Sequence, residues 1–155
     1  MKMNDKTGSA QTNEASQAVL GVAIGEERYL VPMTEVSEVI TIPKLAHVPL
    51  TQPWFAGLAN VRGNLYGITD LCSYLGIPPL PYNLKARILL VSPDNKIRGG
   101  FIVNNMLGIR SLSEFTAENA VGRDHCYRDS EGRTWRKLSL FELTRGEKFM
   151  QIAGD

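Results

Sequence analysis

The sequence predicts an all-β fold with a few short helices, built as small barrels or a sandwich. Three observations predict it. Short runs of β-branched, aromatic and other apolar residues recur along most of the chain, separated by Gly, Pro, Asn, Asp and Ser turn signals. Helical periodicity is confined to brief stretches. The outline hairpin, short helix, hairpin, short helix appears roughly twice, although no repeat is visible residue by residue.

The elements follow in order. Residues 1–17 hold no Leu, Ile, Val or aromatic residue, so they cannot bury enough apolar surface to offset chain entropy and read as a disordered tail. Structure begins with two strands, near 18–24 and 28–31, flanking the turn Gly25-Glu26-Glu27. In MTEVSEVIT, Met33, Val36 and Val39/Ile40 recur at helical spacing, which predicts a short amphipathic helix between Pro32 and Pro43. TIPKLAHVPLTQP, with three prolines, is extended. A hairpin follows, with strands near 58–62 and 65–69. DLCSYLG gives one or two helical turns, Asp70 at the N-cap and Gly76 at the C-cap. PPLPYNLK is a rigid linker. Strands at 86–91 and 99–103 flank Ser92-Pro93-Asp94-Asn95, and NNMLGIRSL turns into another strand. Residues 113–124 read as loop. HCYRD and RTWRKLSL form a last hairpin around Ser130-Glu131-Gly132. Ser139 and Glu142, in capping-box spacing, open a C-terminal helix that breaks near Gly146.

Composition narrows the function. With 155 residues the chain can bury roughly 70% of its unfolded surface. Apolar residues make up 43% and charged residues 21%, and the net charge is +1, which argues against long-range attraction to nucleic acid or an anionic membrane. No apolar run approaches the length that spans a bilayer, and the N-terminus lacks the apolar core of a secretory signal, so the expected location is the cytoplasm. Cys72 and Cys126 lie in no CxxC pair and read as small buried hydrophobes. No phosphate-binding glycine loop, GxSxG or HExxH is present, and no cofactor or metal site is expected. His125 and Cys126 are adjacent, so on a strand they point to opposite faces and His125 is badly placed as a base; Cys72 is an alternative thiol. His47, in the extended segment, reads as a surface residue. Arg123, Arg128, Arg133, Arg136, Lys137 and Arg145 cluster in the last third. They leave open an alternative in which a small β-barrel binds single-stranded nucleic acid, against a solvated face balanced by Asp124, Asp129, Glu131 and Glu142.

The densest signal is PWFAGLANVRGNLYGITDL, residues 53–71, with a lone arginine and a glycine at the tip of an apolar hairpin. Gly63 suits a turn position of positive φ, and Arg62 offers a rigid fork of donors that would either lock the hairpin or anchor a partner. This stretch resembles the signature of CheW-like domains: an aromatic, Gly57, Asn60, the pair Arg62-Gly63, then Asp70-Leu71, with Gly67 where the family has proline. YLVPMTEVSEVI resembles the family's upstream element through Val36, Glu38 and Val39, and GGFIVNNMLGI its downstream strand. The likeness covers nearly all of residues 18–153 and loosens after 112.

The resemblance implies a single CheW-like domain over 18–155, made of two intertwined five-stranded SH3-like barrels with an apolar seam between them and a C-terminal helix. It implies no catalysis and no cofactor. It also implies an adaptor between the cytoplasmic tip of a transmembrane chemoreceptor and the regulatory domain of a CheA-type histidine kinase, recruited to receptor arrays and monomeric when isolated. Within the family the likeness is to coupling proteins of chemosensory systems that control type IV pili. Val36, Glu38, Val39, Gly57, Asn60, Arg62, Gly63 and Asp70 are the interaction residues this suggests.

Overall fold

A computed structural model describes residues 17–92, 98–118, 126–146 and 149. The expected tail before residue 17, the Pro93–Asn95 turn, Arg123, Asp124 and His125, and the chain beyond Phe149 lie outside the described residues. The fold is mostly β, as expected; the described residues form two sheets and the two short helices named below.

The sheets do not follow the halves of the chain. Strands β1 (Ala18–Ile24) and β2 (Glu27–Pro32) begin one sheet. The chain then leaves it to build the whole of the second from β3 (Val36–Thr41), β4 (Phe55–Val61), β5 (Asn64–Asp70), β6 (Arg87–Val91) and β7 (Gly99–Val103). It returns as β8 (Asn105–Ser111), β9 (Thr116–Glu118), β10 (Cys126–Arg128) and β11 (Thr134–Lys137). The strand orders are β8-β1-β2-β11-β10-β9, six strands, and β3-β6-β7-β5-β4, five strands. Helix α1 (Leu71–Leu75) follows β5, and α2 (Leu140–Arg145) follows β11.

Three apolar clusters result, and strand alternation explains each. In β1, Val19 joins Leu30, Leu112, Phe115 and Trp135 inside the six-stranded sheet, while Leu20, Val22 and Ile24 point the other way. In β6, Ile88 and Leu90 join Ala59, Ile68 and Ile102 inside the five-stranded sheet, while Leu89 and Val91 point the other way. The two outward sets meet in one seam, closed by Trp54, Tyr74, Phe101 and Phe149. The ring centroids of Trp54 and Phe149 lie 5.8 Å apart, stacked, with Tyr74 edge-on to Trp54 at 4.9 Å. Both faces of β6 and β7 are therefore buried, and the seam is what couples the sheets.

The expected helix over MTEVSEVIT is instead a 3-10 turn, Met33–Glu35, followed by β3. The β-branched Val36, Val39, Ile40 and Thr41 favour a strand. The helical spacing has a physical source. Val36 pairs Val91, Glu38 pairs Leu90 and Val39 pairs Leu89, so Ser37 is an inserted bulge residue. The bulge puts Val36 and Val39, three apart, on the same face of the strand.

Residues 113–124 are likewise not all loop. Leu112–Glu114 is a 3-10 turn capped by Ser111 and Glu114, and β9 follows; it is too short to carry a period. Ser139 caps α2 by accepting from the Glu142 N–H at 3.2 Å. Asp70 occupies the α1 N-cap position, but its carboxylate makes no cap bond and accepts from the Tyr82 hydroxyl instead.

Candidate functional site

The Arg-Gly pair closes β4 onto β5. Val61 pairs Asn64, leaving Arg62 and Gly63 as a two-residue loop with φ of 51° and 87°. Positive φ at both positions is the type I′ pattern, whose twist matches the flanking strands. Gly63 adopts it freely, and its N–H donates to the Asn60 side-chain oxygen at 2.9 Å. Arg62 adopts it at a cost of about 1 kcal/mol, because its Cβ crowds the carbonyl.

What holds Arg62 there is Glu38. The guanidinium spans both carboxylate oxygens, Nη2 to Oε1 at 2.5 Å and Nη1 to Oε2 at 3.2 Å. The Arg62 side chain is 67% exposed and that of Glu38 39%. The bonds from Arg62 hold the Glu38 carboxyl below the usual carboxylate range. A pair this exposed is screened by water and salt, so it fixes geometry more than it stabilises the fold.

Its geometry matters because β3 and β4 are the opposite edges of the five-stranded sheet. The Arg62–Glu38 pair spans from the β4–β5 turn to β3, so the two edges lie close together. A second link is made by the backbone. Ala46, on the segment leaving β3, exchanges backbone hydrogen bonds with Leu58 of 2.8 and 2.9 Å. Gly57, at φ 134°, permits that approach, since a Cβ there would lie 2.6 Å from the Ala46 carbonyl oxygen. Lys44, Leu45, Ala46, Leu58, Asn60 and Leu65 line a shallow apolar groove of about 250 Å³ beside the turn, and Leu65 is 56% exposed.

Of the residues singled out in the sequence, the structure brings Glu38, Asn60, Arg62 and Gly63 together and places Gly57 behind the same hairpin. Val36 is half-buried against the seam, and Val39 is exposed on the edge strand. Asp70 lies at the far end of β5 and pairs with Tyr82, not Arg62. At Gly67, where the family has proline, the N–H donates to the Arg98 carbonyl at 3.0 Å, a bond proline would lack.

Three features were missed. Glu35 is buried, and its carboxylate accepts from the Ser139 hydroxyl (2.8 Å) and the Leu140 (2.6 Å) and Phe141 (3.4 Å) N–H groups at the start of α2. Nothing local in the sequence signals a partner so distant. Leu50 is 85% exposed at φ 63°, between Pro49 and Thr51. Asp129 accepts from the Trp135 indole N–H and the Arg133 side chain, each at 2.9 Å, and from the Glu131 and Arg133 amides. The Trp135 bond foremost, with those of Arg133, holds its carboxyl well below the usual range. The spacing Asp-x-x-Gly before a strand was the available signal.

Catalytic geometry is not assembled among the described residues. Cys72 and Cys126 are buried and unbonded to each other, His47 is exposed, and no cluster of His, Cys, Asp and Glu could hold a metal. Burial pushes the Cys72 thiol up, away from reactivity. No helix among them is long and apolar enough to cross a membrane. Two of the basic residues of the last third are engaged: Arg128 pairs Glu118 at 2.6 Å, and Arg133 pairs Asp129 and Glu131, each at 2.9 Å.

The sequence profile of the CheW-like domain matches residues 18–145. The chain belongs to the CheW-like domain family. Among its CheW-like relatives, Protein PilI of Pseudomonas aeruginosa is 35% identical over 91 residues, 59% of this chain and 51% of PilI. Chemotaxis protein CheW of Helicobacter pylori is 31% identical over 96 residues, 61% of this chain and 58% of that one. The chain thus spans somewhat over half the length of these relatives. The crystal structure of scaffolding protein TtCheW from Thermoanaerobacter tengcongensis superposes with a TM-score of 0.71 at 18% identity, covering 85% of this chain and 90% of TtCheW. That likeness shows the fold.

Proposed function

We propose that the chain is a non-catalytic adaptor that couples the cytoplasmic tip of a transmembrane chemoreceptor to the regulatory domain of a CheA-type histidine kinase. The likeness to PilI supports a chemosensory system that controls type IV pili and twitching motility. The protein acts in the cytoplasm, as a monomer until it is recruited to a receptor array.

The observation that carries the reading is the Arg62–Glu38 clamp beside the apolar groove at the β4 edge. A coupling protein works by presenting rigid surfaces at fixed separation, and this hairpin is held by an ion pair, an Asn60 side-chain bond and a backbone bridge. Leu65 and the groove behind it offer apolar contact, and Arg62 keeps donors free to turn toward a partner carboxylate. Val36 and Val39, on the opposite sheet edge, offer a receptor helix an apolar ledge by the helix-in-groove mode.

Calorimetric titration of the full chain with the CheA-type kinase of the same organism tests this. The expected result is saturable binding, weakened about tenfold or more by Arg62→Glu, with the variant's circular dichroism unchanged. Absence of binding heat at two temperatures sinks the reading.

A further inference from the structure

Away from the Arg62 hairpin, the linker between α1 and β6 forms a strap. Residues 78–85 are all exposed, yet the strap is pinned at several points. The Ile77 N–H donates to the Cys72 carbonyl at 2.9 Å, the Tyr82 hydroxyl donates to Asp70, and the Asn104 amide donates to the Leu80 carbonyl at 3.4 Å. Asn104 also accepts from the Gly25 N–H at 2.7 Å, so one side chain ties the strap to the β1–β2 turn. A segment with three prolines and these anchors loses little entropy on binding.

Between strap and turn lies a hollow of about 360 Å³, lined by Glu26, Glu27, Ile77, Pro78, Pro79 and Leu80. One wall is apolar, and the two prolines have no N–H to offer. The facing wall carries two exposed carboxylates. Glu27 accepts from the Tyr29 hydroxyl at 2.8 Å, and neither carboxylate forms an ion pair among the described residues. Arg28 and Arg136 line an adjoining hollow on the other side of the same two glutamates without coming within ion-pair distance of either. Leu80, in the apolar wall, is 38% exposed.

We propose that this hollow docks an arginine-bearing peptide segment of a partner protein. The aliphatic stem of the arginine lies on Ile77, Pro78 and Pro79, its guanidinium meets the Glu26 and Glu27 carboxylates, and an apolar neighbour covers Leu80. The charge complementarity decides the chemistry. An acidic or purely apolar segment would leave both carboxylates desolvated and unpaired, whereas an arginine stem and head match the two walls in order. The surface is separate from the hairpin proposed above for the kinase.

The test uses the isotope-labelled full chain and two capped tetrapeptides, acetyl-Arg-Leu-Arg-Leu-amide and acetyl-Glu-Leu-Glu-Leu-amide, followed by amide chemical shifts. The arginine peptide is expected to shift Glu26, Glu27, Ile77 and Leu80, and the acidic peptide to shift none. The double variant Glu26→Gln/Glu27→Gln should weaken the arginine peptide about tenfold or more, as should raising salt from about 0.05 to about 0.5 M. Arg62→Glu should leave it unchanged, which separates this surface from the kinase reading. If the double variant misfolds, Leu80→Asp serves in its place. No shifts, equal shifts with the acidic peptide, or binding that survives both variants overturns the proposal. Self-association of the wild-type chain that the double variant abolishes would give the hollow to a second copy and overturn it equally.

Discussion

Glu35 and Glu38 stand three residues apart on one short segment and hold opposite kinds of partner. Glu35 is 8% exposed, and its carboxylate is filled by the Ser139 hydroxyl and two N–H groups of α2, more than a hundred residues away. Glu38 is half-exposed and meets a single flexible cation, Arg62, across the edge of a curled sheet. The first lies in low dielectric, where losing it leaves buried donors without partners. The second lies in water, where losing it costs the fold little. Within one stretch of sequence, burial decides which carboxylate stabilises the fold and which stays in contact with solvent.

That contrast predicts the largest effect at Glu35. Glu35→Ala should lower stability by about 3 kcal/mol, a drop of roughly 10 °C in the thermal midpoint for a chain of this size. Amide exchange should quicken first in Leu140–Arg145, because α2 loses its anchor. Denaturant unfolding beside Glu38→Ala checks it. If the two variants unfold together, the buried anchor carries no special weight and the comparison fails.

Asp129 gives a smaller and pH-dependent version of the same effect. Its folded pKa is depressed, so the unfolded chain binds the proton more readily. The stabilisation is therefore complete above the ordinary carboxylate pKa of about 4 and is lost as the pH falls toward the folded value. The stability gap between wild type and Asp129→Asn should be widest at neutral pH and should narrow below about pH 4. Urea midpoints across that range measure the gap, and a gap independent of pH would mean that the Trp135 and Arg133 bonds do not depend on the charge.

Much of the fold was legible because it is local. The β4–β5 hairpin announced itself by Arg62-Gly63 between apolar runs, and α1 by Gly76. The sheet partnership was not legible, since β2 pairs β11 and β5 pairs β7 in parallel across long separations that no local pattern encodes. The β3 segment misled for a specific reason. Its Ser37 bulge returns Val36 and Val39 to one face and so imitates a helical period. The candidate site was half legible: Asn60, Arg62 and Gly63 are neighbours in sequence, whereas the Glu38 grip on Arg62 appears only once the sheet curls. Glu35 falls within the stretch expected to be helical, and its role depends wholly on where α2 lands.

The smallest effect on stability should be the most informative about function. Arg62→Glu should unfold close to wild type, because it breaks only a solvent-screened pair, and should still weaken the kinase. Two explanations of that weakening then separate. If Arg62 touches the partner, adding Glu38→Arg restores the ion pair with its sign reversed but leaves binding weak. If Arg62 only holds the turn in its left-handed conformation, the swapped pair holds it equally well and binding returns. Titration of the kinase with the single and the double variants under the same salt decides between a contact and a positioning residue. Glu38 sharpens the choice further. Its carboxyl titrates below the usual range, so a positioning role weakens coupling only in acid, once the folded Glu38 takes up its proton. A direct contact between Arg62 and a partner carboxylate weakens instead where that partner carboxylate titrates.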